Sequence, residues 1–200
     1  MNRAILLGGA AILAAGAGLA AALLTQSGES QCLDTRVAGA DIGGPFTLVD
    51  QTGATVTEAV VITRPSLVYF GYAFCPDVCP VDNARNVAAV DLLAERGIDA
   101  RPVFITVDPA RDTPELLADY ARNMGGDMIA LTGTEAQVRA AANAYRVVYS
   151  RNGDDPDYYL MNHSAFTYLV LPGEGFVTFF RREATPAEIA DRTACVLGED

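Results

Sequence analysis

The stretch Gly71–Pro80 reads GYAFCPDVCP, with Cys75 and Cys79 four residues apart and a proline after each. The residues before it, Ser66–Phe70, form an apolar run rich in β-formers and predict a buried strand. The residues after it predict a helix from Pro80 to about Glu95, with Val81, Ala84, Ala88 and Leu92 recurring on one face and Gly97 stopping it. Pro80 suits the first helical position, where a missing N–H costs nothing. A residue before proline is pushed out of the α region. Cys79 is therefore expected as the N-cap-like residue and Cys75 in the loop before it. The positive end of the helix dipole favours a thiolate, the form that attacks disulfides and binds metals.

The spacing narrows the chemistry. Two cysteines at i,i+4 in a regular helix have Cβ atoms roughly 5–6 Å apart, whereas a disulfide wants about 3.5–4.5 Å. A loop relaxes that distance, so the pair suits either a disulfide or an open two-sulfur clamp. The three-residue gap departs from the C-x-x-C of thioredoxin-like reductases. Two buried structural cysteines are the plainer alternative, and a strand–loop–helix setting with this proline punctuation argues against it.

Working outward, residues 102–107 predict a second buried strand, which makes a βαβ unit with a parallel pair. In 108–115, DPARDTPE, Thr113 is an N-cap candidate and Pro114 the first residue of a helix ending near Met124. A third strand is expected over Met128–Leu131, and Thr134 with Gln137 caps a helix running to about Tyr145. Residues 150–157 are expected as a polar loop, and 165–171 with 176–181 as a hairpin. Thr185 with Glu188 caps a last helix that carries Cys195. Upstream, 45–50 and 54–57 predict a small hairpin. The class is α/β, with a domain over 42–200.

Two hundred residues suit one such domain plus a leader. The net charge is −11 and the basic side chains are all arginine. That acidic balance argues against nucleic acid as a partner, because phosphate binding needs a basic face. Residues 4–24 hold only Ala, Ile, Leu and Gly, with Arg3 before them and Glu29 and Asp34 after. About twenty apolar residues span a bilayer, and the positive flank places the N-terminus in the cytoplasm. We expect an N-terminal membrane anchor over 1–25 and a linker over 26–41. The competing reading is a cleaved signal peptide with a site at Ala20-Ala21-Ala22. Both put the folded part outside the cytoplasm. There, Cys32 and Cys195, the cysteines left once the clamp is set aside, are expected to form a structural disulfide, the alternative being two free or separately buried thiols.

His163 is the chain's single histidine and sits in Met161-Asn162-His163-Ser164. In a sheet of this alternation, loops at strand ends gather at one edge, where binding sites form. Two thiolates and an imidazole make a soft three-ligand set that suits Cu(I) and leaves room for a further ligand with Cu(II). Zinc is the rival, though structural zinc sites normally use four protein ligands. Met161 is either an extra sulfur ligand or core filling. Asp77 and Asp108 either tune the site by charge or are, respectively, an exposed loop acid and a strand-end turn residue.

GYAFCPDVCP, VDPARDTPE at 107–115 and the His163 region together resemble the Sco/SenC family over about residues 42–190. The resemblance implies a thioredoxin-like fold, a central mixed sheet flanked by helices, behind a membrane anchor. It implies copper ligands at Cys75, Cys79 and His163, with Asp108 and its neighbours close to the metal loop. The family commonly has an acidic residue before the histidine; here it is Asn162. The implied role is a copper chaperone that helps assemble the binuclear copper centre of cytochrome c oxidase subunit II. Another copper carrier would act as donor and an extracytoplasmic thiol reductase would keep the clamp reduced. The implied location is the periplasmic side of a bacterial inner membrane. Two alternatives use the same thiols: a thiol–disulfide reductase acting on the target's cysteines, and a thiol peroxidase. Neither needs His163.

Overall fold

The computed structural model describes residues 42–125, 127–155 and 158–199. Its centre is the expected strand, β3 (Ser66–Gly71), buried at all six positions. Alternate residues serve opposite faces. Leu67 packs with its cross-strand partner Leu169 in one cluster, and Val68 with its partner Tyr168 in another. Each such fully buried aliphatic side chain contributes about 1.5–3 kcal/mol.

Around β3 lie β1 (Thr47–Asp50), β2 (Thr55–Thr57), β4 (Arg101–Thr106), β5 (Ile129–Thr132), β8 (Thr167–Leu171) and β9 (Gly175–Phe180), in the order β2-β1-β5-β4-β3-β8-β9. Strands β3, β4 and β5 are parallel, while β1, β8 and β9 join antiparallel. The sheet is therefore mixed. Helices α1 (Glu58–Val61), α2 (Val78–Glu95), α3 (Pro114–Met124), α4 (Glu135–Ala144) and α5 (Pro186–Leu197) flank it. A separate ribbon pairs β6 (Tyr149–Asn152) with β7 (Leu160–His163).

The three threonine caps are present. The Thr113, Thr134 and Thr185 hydroxyls accept from the backbone of Leu116, Gln137 and Glu188, and the last two complete capping boxes. Each cap contributes about 1 kcal/mol.

Helix α2 differs from its expected form in two ways. It starts at Val78 with Asp77 as N-cap, so Cys79 lies inside the first turn. Its buried face is also not the apolar one. Cys79, Asp82, Asn83, Asn86, Ala89 and Leu93 point inward, whereas Val81 is 60% exposed. The inward polar groups are tolerated because they are partnered. Asp82 accepts from the Tyr69 hydroxyl at 3.0 Å and pairs with Arg85 and Arg182. Asn83 donates to the Cys79 carbonyl and the Tyr120 hydroxyl. Asn86 accepts from Thr167 at 2.9 Å.

The polar loop expected over 150–157 is also corrected. Residues 150–152 belong to β6, whose side chains are mostly exposed, so no apolar alternation marked it. Gly71 pairs with Thr106 in register, so β3 and β4 end together. The cysteine loop after β3 and the DPARD segment after β4 meet at that edge. Among the described residues no helix is long and apolar enough to cross a membrane. The expected anchor at 4–24, the linker and Cys32 lie outside the described residues.

Candidate metal centre

Cys75 and Cys79 are free thiols on either side of the start of α2. The Asp77 side chain makes no capping bond to the helix. The sulfur of Cys75 does that work instead, accepting the Cys79 backbone N–H at 3.3 Å. Burial raises the Cys75 thiol, but the backbone N–H groups of Asp77, Cys79 and Val78 outweigh it and hold the thiol below its ordinary value. The thiolate that the helix terminus favours is thus that of Cys75, in the loop before the helix. Cys79 is completely buried, and burial pushes its thiol well up, with the neighbouring Cys75 adding to the effect. Its sulfur fits because residue 71 is glycine. A Cβ there would stand 2.9 Å from Cys79 Sγ, 2.9 Å from Tyr69 Cε1 and 3.1 Å from Phe104 Cε2.

His163 ends β7 and turns its ring onto this pair. Its Nε2 lies 3.3 Å from Cys79 Sγ, and its Nδ1 lies 3.1 Å from the Ser164 carbonyl. Nδ1 therefore carries the proton and donates, leaving the Nε2 lone pair facing the sulfur. Burial lowers the imidazole's pKa, which keeps it neutral and able to ligate. Tyr69 and Tyr72 meet the ring edge-on, at centroid distances of 6.1 and 5.9 Å. The Ser164 carbonyl and these two rings fix the imidazole, so the exposed Asn162 is not needed for its orientation. Two sulfurs and one nitrogen lie within 4.8 Å of one another. A donor set this soft and this compact can hold a soft metal ion at low coordination. Met161 packs half-buried against the core beside a cavity of about 640 Å³.

The DPARD segment supplies the frame. Asp108 is buried; it accepts from the Tyr159 hydroxyl at 2.7 Å and pairs with Arg111 at 2.5 Å. Arg111 also donates to the Tyr159 carbonyl at 3.0 Å, stacks 3.5 Å over the Tyr159 ring and lies 5.0 Å from the Phe74 ring centroid. Asp108 thus holds Tyr159, which directly precedes the strand that ends in His163. Asp77, by contrast, is exposed and contributes its backbone N–H rather than its carboxylate. Gly71, Tyr69, Asp82 and Asp112 also shape the site, beyond the residues expected from the sequence. Only the last carried a signal, as a second acid in DPARD whose burial could not be read.

The comparisons with known proteins agree with this geometry. A family model described as SCO1/SenC matches residues 34–198. The chain belongs to the SCO1/SenC family. This SCO1/SenC chain is 58% identical over 164 residues to Protein SenC of Rhodobacter capsulatus, covering 82% of itself and 74% of that relative. Its fold matches the crystal structure of Arabidopsis thaliana ScoI with copper bound, at a TM-score of 0.75 and 34% identity, over 80% of this chain and 99% of that one. It also matches Bradyrhizobium japonicum ScoI with copper bound, at a TM-score of 0.68 and 34% identity, over 76% and 98%. The mixed sheet flanked by helices is the thioredoxin-like arrangement of these structures.

Proposed function

We propose that this SCO1/SenC chain is a copper metallochaperone whose ligands are Cys75, Cys79 and His163. The observation that carries the reading is the convergence of two sulfurs and one imidazole nitrogen within 4.8 Å, matched by relatives whose structures hold copper. Copper is the cargo here. Loading displaces the thiol protons, because the thiolate is the form that binds metal. Cys75 gives up its proton readily, since the helix N–H groups already stabilise its charge. Cys79 gives up its proton only against the metal. His163 needs no deprotonation at Nε2.

The half-exposed Cys75 faces outward and the buried Cys79 inward, an arrangement that suits stepwise transfer from the outer sulfur. The proposed recipient is the binuclear copper centre of cytochrome c oxidase subunit II, with a second copper carrier as donor. An anchor at residues 4–24 would hold the domain on the periplasmic side of the bacterial inner membrane. His163 favours this reading over a thiol–disulfide reductase or a thiol peroxidase, because neither activity needs an imidazole seated on the second cysteine. The test is transfer of copper from the full-length protein to a purified acceptor subunit. Transfer that persists unchanged in Cys75→Ser would sink it.

A further inference from the structure

We propose that Asp112 is a positioning residue that straps the cysteine loop to the sheet and so sets the distance between Cys75 and the other two ligands. The inference rests on the copper-binding reading above.

Asp112 is completely buried, just before α3. Its Oδ2 accepts the Ala73 backbone N–H at 3.0 Å and the Thr106 hydroxyl at 2.6 Å. Ala73 lies two residues before Cys75, in the segment that leaves β3. Thr106 ends β4 and stands in register with Gly71, the last residue of β3. The carboxylate thus ties the start of the metal loop to the end of a rigid strand pair. The other oxygen, Oδ1, is buried without a hydrogen-bond partner. A group held there at such a cost is retained for what its first oxygen does.

The neighbouring acid does the complementary work. Asp108 holds Tyr159 and with it the ribbon that presents His163. The two acids of DPARD therefore fix the two walls of the site separately, one bearing cysteine and one bearing histidine. Thr106 links them, since its hydroxyl oxygen also accepts the Asp108 backbone N–H at 2.9 Å. Ligand-orienting partners of this kind typically change metal affinity by roughly 10–100-fold when removed.

The test uses the full-length protein in detergent, with three variants: Asp112→Ala, Asp112→Asn and Thr106→Val. Hydrogen exchange of the peptide over residues 72–78 reads the strap directly. Competition with a Cu(I) chelator and the Cu(II)–thiolate absorption band read the site. Asp112→Ala should speed exchange of that peptide, weaken Cu(I) at least tenfold and shift the band. Asp112→Asn keeps an acceptor oxygen and should restore affinity to within about threefold of wild type. Thr106→Val removes one of the two donors to Asp112 Oδ2 and should fall between, which decides the matter if the alanine variant does not fold. Unchanged exchange in Asp112→Ala, or faster exchange with unchanged copper affinity, overturns the proposal. So does a Thr106→Val protein identical to wild type in both. Wild-type protein that takes up no copper removes the chaperone reading instead, and the exchange comparison still decides whether the strap exists.

Discussion

The sulfur of Cys75 accepts the backbone N–H of Cys79, 3.3 Å away, and so caps the helix that carries the second cysteine. The two thiols are consequently unlike. One is half-exposed and held low by helix N–H groups; the other is buried and held high. Alkylation at pH 7 should modify Cys75 at least tenfold faster than Cys79, since the thiolate is the nucleophile. Mass spectrometry of timed samples measures this. Equal rates would contradict the assignment of the cap.

Gly71 is the residue that leaves room for the inner sulfur. Gly71→Ala drives a methyl to within 2.9 Å of Cys79 Sγ and of the Tyr69 ring. Overpacking of this kind costs about 1–3 kcal/mol. The expected fall in Tm is about 2–12 °C, with copper affinity lowered because the sulfur itself must move. Calorimetry and a chelator competition check the two effects. A variant with wild-type affinity would show that the packing around Cys79 has slack.

Burial pushes the Asp112 carboxyl up to about 6 from an ordinary 3.8, with the Asp108 charge adding to it and the Thr106 and Ala73 donors and the Arg111 charge opposing. The folded chain therefore binds this proton more tightly than the unfolded chain. Its contribution to stability is full below about pH 4 and is lost as the pH rises through about 6. The size is roughly 3 kcal/mol, at 1.36 kcal/mol per unit. Asp112→Asn should match wild type near pH 4 and exceed it by several degrees in Tm at pH 8, in the metal-free protein. A Tm difference that stays flat across that range would refute the ionised, buried carboxylate.

Oxidation should gate the site. A Cys75–Cys79 disulfide has no thiolate to offer, so it cannot hold copper. A bond closing so short a gap beside prolines should be strained and so easier to reduce than a Cys32–Cys195 bond closing a very long loop. Redox titration with differential alkylation should show the clamp reducing first and copper uptake following it. Copper binding to the fully oxidised protein would place the metal elsewhere. The same peptide maps should find Cys32 linked to Cys195, and the mass of the mature protein should include residues 4–24. A mature N-terminus near Leu23 would remove the anchor.

Much of this arrangement was legible in the sequence because it is written in local rules. The strand before Cys75, the three threonine caps and the βαβ crossover follow from propensity, capping chemistry and handedness, which act within a few residues. The cysteines and the histidine stood out by residue type. What was not legible depends on tertiary partners. The polar inner face of α2 is stable only because Tyr69, Tyr120 and Thr167 arrive from elsewhere in the fold. Ribbon strand β6 has no apolar alternation, since its side chains face solvent. Asp108 and Asp112 look alike in DPARD, and only their hydrogen-bond partners, Tyr159 and Ala73, show that they hold different walls of the site.

The most direct test of the copper site is X-ray absorption on the copper-loaded full-length protein and its His163→Ala variant. The account predicts two sulfur scatterers and one nitrogen in the wild type. In the variant the nitrogen should be lost and both sulfurs kept, with Cu(II) binding weakened more than Cu(I), because Cu(I) tolerates two thiolates alone. Identical copper ligation in the two proteins would contradict it and place the metal away from Cys75, Cys79 and His163.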